Sequence, residues 1–303
     1  MLEYISGCIQ PKIIRSGLDS LKRIGVGTDG FSVGYIQKRN KKLVGVIGLG
    51  SVGSALSIVM GYYYDVVGYD IKGNYDWNRI LDCESVFICV QTPKGIDGRL
   101  DCSSVDNVLE KLNNDSYTGI IVIKSTLGAG FMDSVAKKYS DLKLVYSPEF
   151  MSEKNALPWT AYPDRIVLSE DKKLMDYVQD LYSWAESAII IRTDFRSAEI
   201  GKLAHNALIA LKVTFTNIME AICESFGANV DDVMKIVYTD RRVANSAHLE
   251  PHKGPYGGKC VPKDTDELIN AFGDMAKLLQ VVDEINSKLT FNVKKSDKNR
   301  QME

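Results

Sequence analysis

The chain has 303 residues, 45% of them hydrophobic and 25% charged, with a formal net charge of −2. This is the profile of a soluble globular protein of about two domains, and it excludes the polycationic surface that nucleic acid or anionic lipid would require. The six cysteines (Cys8, Cys83, Cys89, Cys102, Cys223, Cys260) are scattered, with no CxxC pair and no histidine at zinc-finger spacing, so neither a metal site nor a disulfide scaffold is indicated. With no signal peptide and no uninterrupted apolar run near about 18 residues, the expectation is a cytoplasmic chain with reduced thiols and no membrane contact.

Residues 1–42 read as an N-terminal extension ending in the basic run 38–42. The string GVGTDG at 25–30 fits GxGxxG, but the residues before it are polar and no helical period follows, so it is set aside. From Leu43 the pattern changes. The apolar run 43–47 suits a buried parallel strand, GLGSVG follows at 48–53, a helix runs to Met60, and a second strand at 66–69 closes at Asp70. Further strands are predicted at 86–90, 120–123, 144–145, 165–168 and 189–191, with helical stretches between most of them. Alternation of this kind implies an α/β fold with a Rossmann-type, doubly wound, mostly parallel sheet over 43–197.

After residue 197 the composition becomes helical. One long pattern runs from 197 to about 226 and stops at Gly227; helices follow at 230–238 and from Asp264 to about 288. Residues 198–290 are therefore read as a mainly helical second domain, and 291–303 as a polar, frayed tail.

Each glycine of the 48–53 turn has a physical task. Gly48 permits the tight turn, Gly50 lets backbone approach a pyrophosphate, and Gly53 lets helix and strand pack closely, with Leu49 and Val52 completing the turn. Phosphate then sits on the helix N-terminus. Asp70, 17 residues beyond Gly53, is placed to accept from ribose hydroxyls. A carboxylate there repels a 2′-phosphate, so NAD is the expected cofactor, a preference that Lys72 tempers.

Three further segments carry polar groups that a structural role leaves unexplained. Gly257-Gly258-Lys259-Cys260-Val261-Pro262-Lys263-Asp264 presents a thiol between lysines that favour thiolate, with Asp264 placed to cap a helix or orient a water. Lys202 and Asn206 share one face of the long helix, and Asn217 returns to nearly the same azimuth. Because Leu203, Ala207, Leu208 and Leu211 surround them, their polar groups need partners. Ser147 to Glu153 is a carboxylate-bearing loop after a strand, and Thr92-Pro93 and Lys124-Ser125-Thr126 likewise follow strands, where α/β sheets place ligand-contacting loops.

Taken in order, GLGSVG, the YD closing the second strand, the TP of CVQTP, the ST at 125–126, SPEFMSEKNAL, YPDRIV, AEIGKLAHNALIALKVTFTN and GGKCVPKDT resemble the UDP-glucose/GDP-mannose dehydrogenase family, especially its short-form UDP-glucose 6-dehydrogenases. The match covers roughly residues 43–275. The resemblance implies an NAD-dependent four-electron oxidation of the 6-hydroxymethyl of a nucleotide sugar, foremost UDP-glucose to UDP-glucuronate, through a thiohemiacetal and a thioester on Cys260. It implies that Lys202 and Asn206 steady the oxyanion and also bind substrate, and that Thr126, Glu153 and Asp264 hold or deprotonate the water. Glu149, Phe150, Arg242, Tyr256 and Gly257 would bind the sugar nucleotide. Thr92, Pro93, Thr126 and Lys263 would complete the cofactor site, Lys263 also bordering the sugar-nucleotide pocket. A homodimer through the long helix is expected on the same likeness. Family members carry a third, nucleotide-closing domain that this chain is expected to lack. Two rival readings follow: a two-electron β-hydroxyacid dehydrogenase, which needs no cysteine, and a catalytically weak or inactive NAD-binding relative.

Overall fold

The computed structural model describes residues 42–151, 153–169, 172–240, 243, 248 and 251–300, the side chains of Glu153 and 291–300 excepted. The N-terminal extension before Lys42 thus lies outside the described residues. Strand and helix alternate as β1 (Leu43–Ile47), α1 (Ser51–Met60), β2 (Asp65–Tyr69), α2 (Asn78–Leu81), β3 (Ser85–Ile88), α3 (Ser103–Asn114), β4 (Ile120–Ile123), α4 (Phe131–Lys138), β5 (Lys143–Tyr146), α5 (Ala156–Ala161), β6 (Arg165–Ser169), α6 (Lys172–Leu181) and β7 (Ile189–Thr193). The strands form one sheet in the order β2-β1-β3-β4-β5-β6-β7. All pairings are parallel except β5 with β6, which meet antiparallel at the single pair Tyr146↔Ser169.

The runs at 43–47, 86–88 and 120–123 are apolar throughout because both faces of the sheet are covered. Residues of alternating parity enter two separate cores. Ile47, Val86, Ile88, Ile121 and Ile123 join one with Leu109 of α3 and Met132 of α4. Val44, Val46, Phe87 and Val122 join the other with Leu56 of α1 and Val178 of α6. Period-2 side-chain alternation produces this division directly.

The helical half consists of α7 (Phe195–Phe226), α8 (Val230–Thr239), α9 (Val261–Phe272) and α10 (Lys277–Arg300). Asp194 starts α7 by accepting from the Ser197 N–H at 2.9 Å, and Gly227, with φ +77°, ends it. By length and composition α7 would suffice to cross a membrane, although charged side chains such as Glu199, Lys202 and Lys212 interrupt its apolar run. Its buried Glu199, Lys202, Asn206 and Asn217 mark it instead as a helix inside a folded unit. Phe195, Ala198, Leu203 and Ala207 of α7 and Leu268 of α9 belong to the same core as one face of the sheet, so α7 joins the two halves.

Two departures from the sequence reading stand out. The single helix predicted over 264–288 is two helices separated by a 3-10 turn at Gly273–Ala276, where Gly273 has φ +53° and ψ −119°, a conformation that a side chain would oppose. The backbone is also helical through Arg300, well into the stretch predicted to fray.

A Cβ added at Gly53 would stand 1.8 Å from the Gly48 carbonyl oxygen. Gly53→Ala is therefore expected to lower stability by about 1–3 kcal/mol, as overpacking does, measured by the denaturant midpoint. An unchanged midpoint would mean that α1 is not wedged against the turn.

Candidate active site

The glycine turn has the shape its sequence calls for. Gly48 adopts φ +91°, and a Cβ on it would meet the Cys89 carbonyl at 2.9 Å. Nothing lies within 4 Å of the corresponding point on Gly50. That open space at the N-cap of α1, where no side chain caps the helix, fits the approach of a pyrophosphate. Asp70 follows the end of β2 and accepts from the Lys72 N–H at 2.9 Å and the Leu49 N–H at 2.8 Å, bonds that hold its carboxyl below the usual range. Asp70 thus also braces the turn, while Lys72 is exposed.

The loops after β3, β4 and β5 meet beyond the carboxyl ends of the strands. Buried Thr92 donates from Oγ1 to the Thr126 carbonyl at 2.7 Å, tying two loops together beside exposed Pro93. Lys124 is buried, with Nζ 3.2 Å from the Glu149 carboxylate and 3.1 Å from the Tyr182 hydroxyl. Burial works against its charge, but Glu149 and Tyr182 outweigh this and hold its pKa above the ordinary lysine value. Glu149 also accepts from the Phe150 N–H at 3.0 Å. Two cations lie over the Phe150 ring, the Arg165 guanidinium at 4.1 Å and the Lys202 ammonium at 5.2 Å, with the His205 ring edge-on at 5.3 Å.

Lys202 and Asn206 are both buried on α7, as expected of polar groups among Leu203 and Ala207. The Asn206 amide donates to Asp264 Oδ2 at 2.5 Å, and Lys263 Nζ lies 2.7 Å from the other oxygen of the same fully buried carboxylate. Burial pulls the Lys202 ammonium below the ordinary lysine range, opposed by the Asp264 carboxylate and then the Cys260 sulfur. Cys260 is exposed and occupies the N-cap of α9, which begins one turn earlier than predicted, with Pro262 in its first turn. Asp264 is therefore inside the helix and does not cap it. Burial pushes the Cys83 and Cys102 thiols up to about 12 and about 11.

The approach to Cys260 is fixed by buried polar contacts. Asn217 donates to the Gly254 carbonyl at 2.9 Å, and Asn286 exchanges two hydrogen bonds with the Tyr256 backbone at 2.8 and 3.1 Å. The Tyr256 ring packs with Ala210 and Val282 and its hydroxyl donates to Asp283 at 3.0 Å, so the side chain turns to α10. Gly257 and Gly258 are exposed, with no atom near a would-be Cβ. Arg242 lies outside the described residues, as does the Glu153 side chain. Sequence reasoning placed Lys124 in a ligand-contacting loop without its partners and missed Glu199 and Glu267. The one signal available for these two was spacing, three residues from Lys202 and from Asp264, which does not distinguish a buried carboxylate from a solvated one.

Residues 71–186 match the NAD binding domain of the UDP-glucose/GDP-mannose dehydrogenase family and residues 196–288 match its central domain, together more than two thirds of the chain. The chain belongs to this family. Its sheet is accordingly the family's NAD-binding domain, although the glycine turn and Asp70 precede the matched segment. UDP-glucose 6-dehydrogenase of Streptococcus pneumoniae is 32% identical over 208 residues, 65% of this chain and 52% of that protein. The chain thus spans about half the length of the curated relatives it matches. Among solved structures, a UDP-glucose dehydrogenase from Pyrobaculum islandicum shares the fold at a TM-score of 0.72 and 24% identity, covering 83% of this chain and 69% of that one. The 3-hydroxyisobutyrate dehydrogenase of Mycobacterium tuberculosis shares it at 0.62 and 14% identity, covering 82% of this chain and 94% of that one.

The charge balance at Lys202 is open to direct measurement. Its Nζ, followed by lysine-selective NMR, is expected to titrate below the exposed lysines, and Asp264→Asn is expected to lower it further by removing the carboxylate that favours the proton. An upward shift in that variant would contradict the arrangement.

Proposed function

We propose that the chain oxidises the 6-hydroxymethyl of a nucleotide sugar to a carboxylate in two NAD-dependent steps, with UDP-glucose as the leading substrate. The observation that carries this reading is the exposed Cys260 thiol one helical turn before the buried Asp264, whose carboxylate binds Asn206 and Lys263 beside Lys202. Gly48, Leu49, Gly50, Val52, Gly53, Asp70 and Lys72 would hold the adenosine and pyrophosphate portion of NAD, with Thr92, Pro93, Thr126 and Lys263 towards the site. When bound, NAD accepts the hydride lost at each oxidation.

The alcohol first loses a hydride and its hydroxyl proton to give an aldehyde. The Cys260 thiolate adds to the carbonyl carbon, forming a C–S bond and a hemithioacetal alkoxide. The Lys202 ammonium and the Asn206 amide donate to that oxygen, each such donor being worth roughly 2.7–4 kcal/mol in comparable sites. Loss of the second hydride leaves a thioester, and water then cleaves the C–S bond to release carboxylate and thiol. Thr126, Glu153 and Asp264 would hold or deprotonate the water. Glu149, Phe150, Arg242, Tyr256 and Gly257 would bind the sugar nucleotide, Tyr256 through its backbone.

A second reading, a two-electron dehydrogenase of hydroxy acids, is favoured by the near-complete coverage of the 3-hydroxyisobutyrate dehydrogenase fold. NADH release across a panel of nucleotide sugars separates the two. Two NADH per sugar, with Cys260→Ala yielding no uronate, is expected; an unchanged uronate yield from that variant would refute the covalent route.

The working unit is proposed to be a cytoplasmic homodimer built on α7. Leu208, Phe215 and Ile222, seven residues apart, are 56%, 39% and 51% exposed, and Phe226 extends the stripe. Apolar residues at heptad spacing on one helix suit packing against a second copy. Phe215→Asp is expected to convert the dimer to monomer in sedimentation velocity; a wild type already monomeric at high concentration would dispose of the interface.

A further inference from the structure

Two fully buried carboxylates of the helical half take no part in the chemistry above. Glu199 lies three residues before Lys202 on α7, and Glu267 three residues after Asp264 on α9. Each therefore shares a helix face with a site residue. Glu199 accepts hydrogen bonds from the segment that leads from β4 into α4, and Glu267 from the loops that follow both β3 and β4. Glu199 receives the N–H groups of Gly130 and Met132, each at 2.7 Å. Glu267 receives the Leu100 N–H at 2.6 Å, the Ala129 N–H at 3.3 Å and the Arg99 guanidinium at 2.9 Å. Neighbouring contacts reinforce the second attachment: Lys94 pairs with Asp266 at 2.5 Å, and Asn270 donates to the Gly98 carbonyl at 3.3 Å.

Holding these layers together would be easier with apolar side chains, since a buried carboxylate must overcome its own desolvation. What the carboxylates add is direction, because each fixes named backbone N–H groups at hydrogen-bond distance. The loops so fixed carry Thr92 and Thr126, themselves joined by one hydrogen bond. We propose that Glu199 and Glu267 are positioning residues that set the separation between the cofactor loops bearing Thr92 and Thr126 and the helices bearing Lys202, Asn206, Cys260 and Asp264. The inference rests on the reading of that cleft given under Proposed function.

Glutamine at either position keeps the shape but sets an N–H₂ donor against backbone donors. In Glu199→Gln and Glu267→Gln, melting temperature, NAD affinity, steady-state kinetics and iodoacetamide alkylation of Cys260 with and without NAD, read on the Cys260 peptide, would be compared with the wild type. The expected result is a near-native fold, NAD affinity within about threefold, a kcat lower by about 10–100-fold with little change in KM, and loss of the protection that NAD gives Cys260 in the wild type. Gly128→Ala places a Cβ 2.9 Å from Glu267 Oε1 and strains the same contact without altering the carboxylate, so it serves if the glutamine variants do not fold. Retained protection in the folded variants, or no protection by NAD in the wild type, would overturn the proposal. A wild type that releases no NADH from any nucleotide sugar would remove the proposed reaction, while the alkylation comparison would still decide the positioning role.

Discussion

A carboxylate with no exposure to water must be matched inside the protein, and Asp264 is matched by the Asn206 amide and the Lys263 ammonium. This constraint organises the site. Asn206 belongs to α7 and Asp264 to α9, so the two helices cannot slide past one another without stranding a charge in a low dielectric. Lys202 comes with one helix and Cys260 with the other. Leu203, Ala207 and Leu268 fill the space around the contact and join it to the core under the sheet. Packing thus fixes how close the helices come, and the polar contact fixes their register.

The long helix meets three environments along its length. Its first half buries Phe195, Ala198, Leu203 and Ala207 against the sheet, while Lys202 and Asn206 turn towards α9. Further on, Thr216 and Asn217 are buried and Asn217 fastens the segment that leads to Cys260. Leu208, Phe215, Ile222 and Phe226 meanwhile face away from the core. One rigid rod, about 48 Å long at 1.5 Å per residue, therefore carries sheet contact, site groups and an apolar outer face.

Much of this was legible in the sequence because the signals were local. Apolar runs bounded by turns gave the strands, and the spacing of Gly48, Gly50 and Gly53 announced a turn whose steric demands the structure displays. Lys202 and Asn206 stood out because charge and amide on an apolar helix require partners. The partners themselves were not legible. That Asn206 reaches Asp264, 58 residues away, or that Lys124 reaches Glu149 depends on packing between segments with no periodic relation. Glu199 and Glu267 looked like ordinary helix surface, since a glutamate's sequence neighbours do not say whether water or a loop backbone covers it. The break at Gly273 was missed for a different reason: one glycine in a helical pattern is usually tolerated, and only its positive φ shows that the chain turns there.

The junction between β5 and β6 has a dynamic consequence. Where β1 to β5 are laced by continuous ladders, β6 and β7 are sewn to the rest by a single residue pair, supported by the Ser169 hydroxyl on the Tyr146 carbonyl at 3.1 Å. Their attachment otherwise comes from side chains such as Ile166 and Leu168 meeting Val145 and Val178. Such a seam gives way when apolar packing weakens, whether or not the backbone ladder of the main sheet is intact. The two-stranded unit is thus the part of the sheet whose attachment rests on side-chain packing rather than on a backbone ladder.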